Sequence, residues 1–418
     1  MASLKVLICG AGCVGPALAF WLSRAGHHVT VVERASELRS AGAQIDLREQ
    51  GIQVARRMGL LEAIRSRTVD EAGFAMVDAS GNVLGTIMAN KSGQGAQLVT
   101  SEFEIMRGDF VQLMYDETAG HPNVQYVFGM SVERHEQKER SVVAHFSDGS
   151  SEEFDILVGA DGQGSRVRSS ILPEGAGDVY KHFGIYAAYF FIPRVVTDTN
   201  VARACAAVGG RMIMRRSHSP TESHVLFFAR GDSPEMASLH KAPLERQKEI
   251  FYERFKDVGS ETDRYLEGLK ATDNFYCQEI VQVRTDTWRK GRVVLLGDAA
   301  HAPSPFSGFG LSAGLVGAYV LAGELCRTPD DPDQAFKNYE ETVRPFVEGV
   351  QNGVNLSMIG VGMPMSWLGV AVIQLISRVV LTLRLPALFA RFSSEDRNGW
   401  SLPDYPELAA LVQTPEEK

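Results

Sequence analysis

Residues 293–315 read VVLLGDAAHAPSPFSGFGLSAGL. An apolar strand ends in Gly297 and Asp298, a proline-broken loop follows, and Gly308, Gly310 and Leu311 open a helix. A carboxylate placed after a strand can hold the hydroxyls of a polyol chain. The free N–H groups of a helix start favour negative charge by roughly 0.3–1 kcal/mol. That grammar suits a flavin, whose reduced ring carries its charge at one edge. It also suits an ordinary strand, loop and helix with a tight turn.

The beginning of the chain narrows the choice. Residues 5–10 form a short apolar strand, Gly10, Ala11, Gly12, Cys13, Val14 and Gly15 follow, and an apolar helix is expected over 17–25. Gly10 permits the tight turn, Gly12 lets a pyrophosphate approach the backbone, and Gly15 lets helix and strand pack closely. A second strand over 28–32 ends in Glu33, 18 residues after Gly15, near the ~20 expected of a ribose-binding acid. Arg34 follows, placed to lie on or near an adenine. This is a dinucleotide fingerprint with strand, helix and acid in order. A third segment, residues 155–168 (DILVGADGQGSRVR), runs from a strand into a polar turn. Asp161, beside Arg166 and Arg168, is expected to stay ionised and to order that loop rather than act in catalysis.

These three separated motifs resemble those of the class A flavoprotein monooxygenases, the para-hydroxybenzoate hydroxylase-like family. Over residues 4–350 the chain looks most similar to tetracycline-inactivating and natural-product FAD monooxygenases. The resemblance implies FAD held by Gly10, Ala11, Gly12, Gly15, Glu33, Arg34, Asp161, Asp298, Gly308, Gly310 and Leu311. It adds Arg107, which precedes a helix over 109–118 and offers a donor fork to a phosphate or ribityl oxygen. In residues 39–48 (RSAGAQIDLR) it assigns Arg39 to NADPH (or NADH) and Asp46 to FAD. The implied reaction uses NAD(P)H and O2 to hydroxylate or epoxidise an aromatic or polyketide-like small molecule through a C4a-hydroperoxyflavin. The cofactor carries that chemistry while the protein places the substrate and excludes water. With one nucleotide fingerprint only, NAD(P)H is expected to bind transiently at the same face. No catalytic side chain is assigned.

Two positions depart from the family pattern. Its asparagine after the Gly-x-Gly is Ser312 here, and its aspartate further along that helix is Gly317. Serine can still cap the helix or bond the ring edge. His301 is expected to pack rather than titrate. No metal-ligand spacing and no Ser/His/Asp relay appears. Trp21, Trp288, Trp367 and Trp400 are isolated, which disfavours a halogenase. Two other readings share the nucleotide motifs: an FAD-dependent reductase or dehydrogenase of a lipophilic substrate, and a non-catalytic escort protein of the same fold.

The elements that must position these groups fit a chain of 418 residues, 44% hydrophobic and 22% charged, enough for two domains. The expected class is α/β. A Rossmann-type FAD-binding domain (1–75, 100–178 and 277–350) is interleaved with a β-sheet substrate domain (76–99 and 179–276). A C-terminal helical segment and tail (351–418) follow. Val124–Phe128, Val142–Phe146 and 153–158 read as strands, with Asp148 and Gly149 turning the latter two. Strands over 184–192, 211–214 and 224–229 would roof the flavin and offer Arg211, Met214, His224 and Phe227 to a substrate, with a helix Leu244–Phe255 beside them.

The net charge of −9 argues against a general affinity for nucleic acid or anionic membranes. Five cysteines without a CxxC pair indicate a reducing, cytoplasmic setting, and no signal peptide precedes the first strand. Residues 356–385 are apolar and broken by Pro364. They are expected to form a long helix packed on the FAD domain, with a membrane-interface helix as the alternative. The tail 401–418 is expected to be loose.

Overall fold

The computed structural model describes residues 3–39, 42–89, 102–231, 233–239, 242–259, 261–383 and 399–412. Two sheets organise it. The first has six strands, in the order Arg289–Lys290, Val293–Leu295, Ile156–Gly159, Lys5–Cys9, His28–Glu33 and Val124–Phe128. Every pair is parallel except the outermost, Arg289–Lys290 with Val293–Leu295. Ile156–Gly159 and Val293–Leu295 are buried end to end, the mark of parallel strands covered by helices. The helices Val14–Arg24 and Gly310–Arg327 share one core with this sheet. This is the expected Rossmann-type half.

The second sheet has seven strands: Phe275–Val283, Tyr180–Pro193, Glu222–Arg230, Arg211–Ser217, Val201–Ala207, Gly73–Val77 and Val83–Met88. Side chains alternate across it. One face, with Tyr186, Phe190, Val225 and Phe227, packs on Phe251, Phe255 and Leu266 of the helices Leu244–Phe255 and Thr262–Ala271. The other, with Ile185, Tyr189, Leu226 and Phe228, meets Ala43 and Phe306 of the first half.

Sheet membership moves two expected boundaries. Gly73–Val77 and all of Phe275–Val283 lie in the second sheet, so the halves divide before Gly73 and after Val283. Long-range pairing sets these points and leaves no local mark. The expected boundary at 99–100 lies outside the described residues. The expected strand over 153–158 is broken at Asp155. Ser151–Phe154 pairs back on Val142–Phe146, while Ile156–Gly159 joins the first sheet. Asp155 makes the switch. Its N–H donates to the Lys5 carbonyl at 2.9 Å, and its carboxylate accepts the Lys5 N–H at 2.6 Å.

The C-terminal region differs more. Instead of one long helix on the FAD domain, the chain bends by 112° between the helical stretch 332–362 and the helix after it. Pro364 falls at the break, where it cannot continue a helix. The helix Trp367–Thr382 then lies on the second sheet: a Cβ added to Gly85 would sit 2.4 Å from that of Leu381. The N–H groups of Gly209 and Gly210 donate to the carbonyls of Met365 (3.2 Å) and Pro364 (3.0 Å). Among the described residues no single helix is long and apolar enough to cross a membrane. Nor is the tail loose as far as residue 412. Tyr405 is fully buried, its ring over Gly323 and its hydroxyl donating to Glu324 at 2.7 Å. Residues 413–418 lie outside the described structure.

Candidate active site

The turn over 10–15 explains its own glycines. Gly10 has φ +115°, and a Cβ there would lie 2.5 Å from the Ala160 carbonyl oxygen. A Cβ on Gly15 would lie 2.0 Å from the Gly10 oxygen. At Gly12 the nearest atom is Arg107 Nη2, 3.5 Å from where a Cβ would stand, so the guanidinium overhangs the turn. Glu33, at the strand end, accepts the Ala11 N–H on one carboxylate oxygen and the Ala35 N–H on the other, both at 3.0 Å. It thereby ties the turn to the strand beside it. Arg34 and Arg39 are exposed.

Asp298 opens the short helix Asp298–His301, directly after Gly297 at φ +61°. Solvent reaches it, yet enough protein lies around its carboxyl for desolvation to act. Burial raises its carboxyl pKa and Arg107 opposes that rise. Tyr276 feels burial first, then Arg107, Asp298 and Arg39 among its charged neighbours. Cys13 is raised by burial and also senses Arg107 and Asp298. Gly12, Cys13, Arg107, Tyr276 and Asp298 therefore share one corner, with Arg39 within electrostatic reach of Tyr276.

A second convergence stands at the start of the helix Gly310–Arg327. A Cβ on Gly308, which has φ +66°, would lie 3.1 Å from both Asp46 Oδ2 and Arg48 Nε. Asp46 and Arg48 pair at 2.8 Å. Ser312 neither caps the helix nor is left to face a ring edge. Its hydroxyl accepts the Arg48 N–H (2.8 Å) and donates to the Arg48 carbonyl (3.0 Å), fastening that loop to the helix. Leu311 is buried, and Gly310 has open space around it. Just before, Ser304 is held at φ +80° and ψ 143°, a glycine-like conformation costing about 1–3 kcal/mol. Pro305 restricts its predecessor to extended ψ values.

Asp161 works on its own loop, as expected, but not through the arginine side chains. It accepts from Ser165 Oγ (2.5 Å) and from the backbone N–H groups of Arg166 (2.8 Å) and Val167 (3.3 Å). Arg168, buried, instead donates to the carbonyls of Ala299 (3.0 Å) and Gln163 (2.7 Å) and so ties this loop to the one carrying Asp298. His301 is buried against Trp288, with its pKa lowered to about 4 by burial.

Residues 3–353 match the family described as an FAD binding domain. The chain belongs to this family of FAD-dependent monooxygenases. It is similar to an FAD-dependent monooxygenase of Sarocladium schorii, 37% identical over 423 residues that cover 97% of this chain and 99% of the relative. A flavin-dependent monooxygenase of Phoma sp shares 38% identity over 397 residues, 90% of this chain and 92% of its own length. Among solved structures, tetracycline destructase Tet(51) aligns with a TM-score of 0.76 at 30% identity, covering 97% of this chain and 100% of that one.

In this monooxygenase the second sheet decides which candidate substrate residues face the cofactor half. His224 and Met214 do. His224 is fully buried, stacked on Phe191 (4.7 Å) and near Tyr189 (6.1 Å). Neither of its ring nitrogens has a hydrogen-bond partner in the described structure, and burial lowers its pKa to about 3. Arg211 and Phe227 face the other way. Arg211 pairs with Asp257 and donates to the Arg254 carbonyl at 2.6 Å, while Phe227 stacks on Phe255 at 4.3 Å. Sequence reasoning missed Tyr276, Arg48 and a buried ionic cluster beside the 42–48 loop. There Arg216 meets Glu71 (2.7 Å) and Glu104 (2.6 Å), and Glu104 pairs directly across from Asp46. The adjacent pair Arg215 and Arg216 within the strand Arg211–Ser217 was the available signal for Arg216.

Proposed function

We propose that this enzyme uses NAD(P)H and O2 to hydroxylate or epoxidise an aromatic or polyketide-like small molecule between its two sheets. The observation that carries the reading is the apolar layer there. Ala43 and Phe306 come from the cofactor half, and Ile185, Tyr189, Leu226, Phe228, Met212 and Met214 from the second sheet. A dry wall suits oxygen chemistry that water would divert. Similarity to a tetracycline destructase supports a substrate of that kind.

The residues present fit FAD. The glycine turn and Glu33 would receive its adenosine diphosphate portion, since no side chain fits at Gly10 or Gly15 and Gly12 faces an arginine. Arg107 would meet a phosphate or ribityl oxygen. Asp298 and Asp46 would accept hydroxyls; Asp46 keeps one buried oxygen without a hydrogen-bond partner in the described structure. The helix start at 308–311 would face the ring. Bound FAD supplies hydride acceptance and oxygen activation. Cys13 stays a thiol at this corner because burial raises its pKa, which supports non-covalent binding. Arg39, exposed, would steer the nicotinamide nucleotide. His224, neutral at working pH, would offer a ring nitrogen to a phenol or carbonyl of the substrate. All five cysteines are free, which supports a cytoplasmic setting.

The test is turnover with isotopically labelled O2 across a panel of phenolic and polyketide substrates. A yellow protein that oxidises NADPH or NADH and places labelled oxygen in a product supports the reading. Substrate-coupled NAD(P)H oxidation without O2 uptake would move the assignment to a reductase. A colourless protein would move it to an escort role.

A further inference from the structure

Helices of proteins in water usually turn a polar side outward, and Trp367–Thr382 does not. Trp367, Leu368, Val372, Leu375, Ile376 and Val379 are all exposed, at helical spacings that put them on one face. The inner side seats Leu381 on Gly85 and buries Ser377. An outward face this apolar is what a helix turns toward a core or lipid. Leu356, Met358 and Val361 on the preceding helix and Met365 at the break are exposed too, as are Val83 and Met88 on the adjoining edge strand. Eleven of the eighteen large hydrophobics exposed among the described residues fall within 356–383. That is a concentrated patch rather than scatter.

We propose that this patch docks on an anionic lipid surface. Charge selects lipid over a protein partner. The described part of the patch, residues 349–383, contains no Asp or Glu and one arginine, Arg378, within a chain of net charge −9. Arg378 is exposed on the same helix. An apolar face with an arginine for headgroups is the pattern of an interfacial helix, which sinks about 5–10 Å into the headgroup boundary. Trp367, 73% exposed at the helix start, has the amphipathic ring that settles at that depth. The 112° bend favours lying on a bilayer over crossing it. The acidic remainder of the surface opposes docking only locally, because charges more than about 10 Å away are screened at physiological salt. On the inner side, Ile359 and Met363 join the layer between the two sheets. Docking would thus set that layer beside the bilayer, a route for a lipophilic substrate. The route rests on the oxygenation reading; the docking does not.

The test floats the FAD-loaded protein with vesicles of phosphatidylcholine, with and without phosphatidylglycerol. Binding to the anionic vesicles, weaker with neutral ones and at high salt, is expected. A blue shift in tryptophan emission that Trp367→Phe removes should accompany it. Leu375→Glu with Ile376→Glu should reduce partitioning by about tenfold or more, while flavin content and circular dichroism stay unchanged. Absence of flotation with either vesicle overturns the proposal, as does undiminished flotation of the double variant. A dimer that the double variant dissolves, without vesicle binding, would assign the face to a second copy of this chain. Flotation needs no turnover, so its outcome stands apart from the oxygenation test.

Discussion

Asp298 and Glu104 show what burial does to single carboxyls near the cofactor corner. Asp298 is raised by burial and opposed by Arg107. Asp298→Ala removes the acceptor for a cofactor hydroxyl and should weaken FAD binding about 10- to 100-fold, the worth of a hydrogen bond to a charged group. Flavin absorbance per protein after gel filtration checks this, and undiminished retention would count against the assignment. Glu104 shares Arg216 with Glu71 and lies across from Asp46, so one guanidinium faces three acids. Burial, the largest cause, raises its pKa from 4.5 to about 8. The folded protein then holds a proton that the unfolded chain releases. The stability from this group is full below about pH 4.5 and lost as pH rises through about 8. Glu104→Gln mimics the protonated form. It should melt with the wild type near about pH 4, above it near about pH 6 and further above it near about pH 9; parallel melting curves would refute that.

Elements meet the site through contacts that join distant segments. Ser312 bonds both backbone groups of Arg48 and so locks the 42–48 loop to the helix Gly310–Arg327. Ser312→Ala should cost about 1–3 kcal/mol, two hydrogen bonds' worth, and weaken FAD binding in parallel, read by thermal melting with and without FAD. Loss of stability alone would leave Ser312 outside the cofactor site. The sequence located the strands around Arg211 and His224 but not their facing. Glu222–Arg230 is buried at seven successive positions, 223–229, so its apolar pattern carries no parity. Packing on the helix Leu244–Phe255 turned Phe227 one way and left His224 the other.

At the scale of the molecule, the tail closes the FAD half. Tyr405 fills the space over Gly323 and bonds Glu324, and Trp400 stacks on Phe346 at 4.7 Å. Tyr405→Ala should cost about 3–5 kcal/mol, the usual loss for a large buried aromatic, seen as a lower denaturant midpoint. A loss under about 1 kcal/mol would show that the tail merely rests there. The three proline positions in 401–418 suggested looseness; the buried ring overrode them.

The sequence alone determined the dinucleotide turn, the acid after the second strand, the Asp298 loop and the interleaved α/β plan. Each is a short-range pattern in which a few successive residues must satisfy one backbone geometry, as Gly10 and Gly15 do. Tertiary structure alone decided where Gly73–Val77 and Phe275–Val283 belong, which face His224 takes, what Ser312 holds and where the C-terminal helix lies. Those outcomes depend on contacts between residues far apart in the chain. Along it, an apolar residue reads the same whether a neighbour, a cofactor or a lipid covers it.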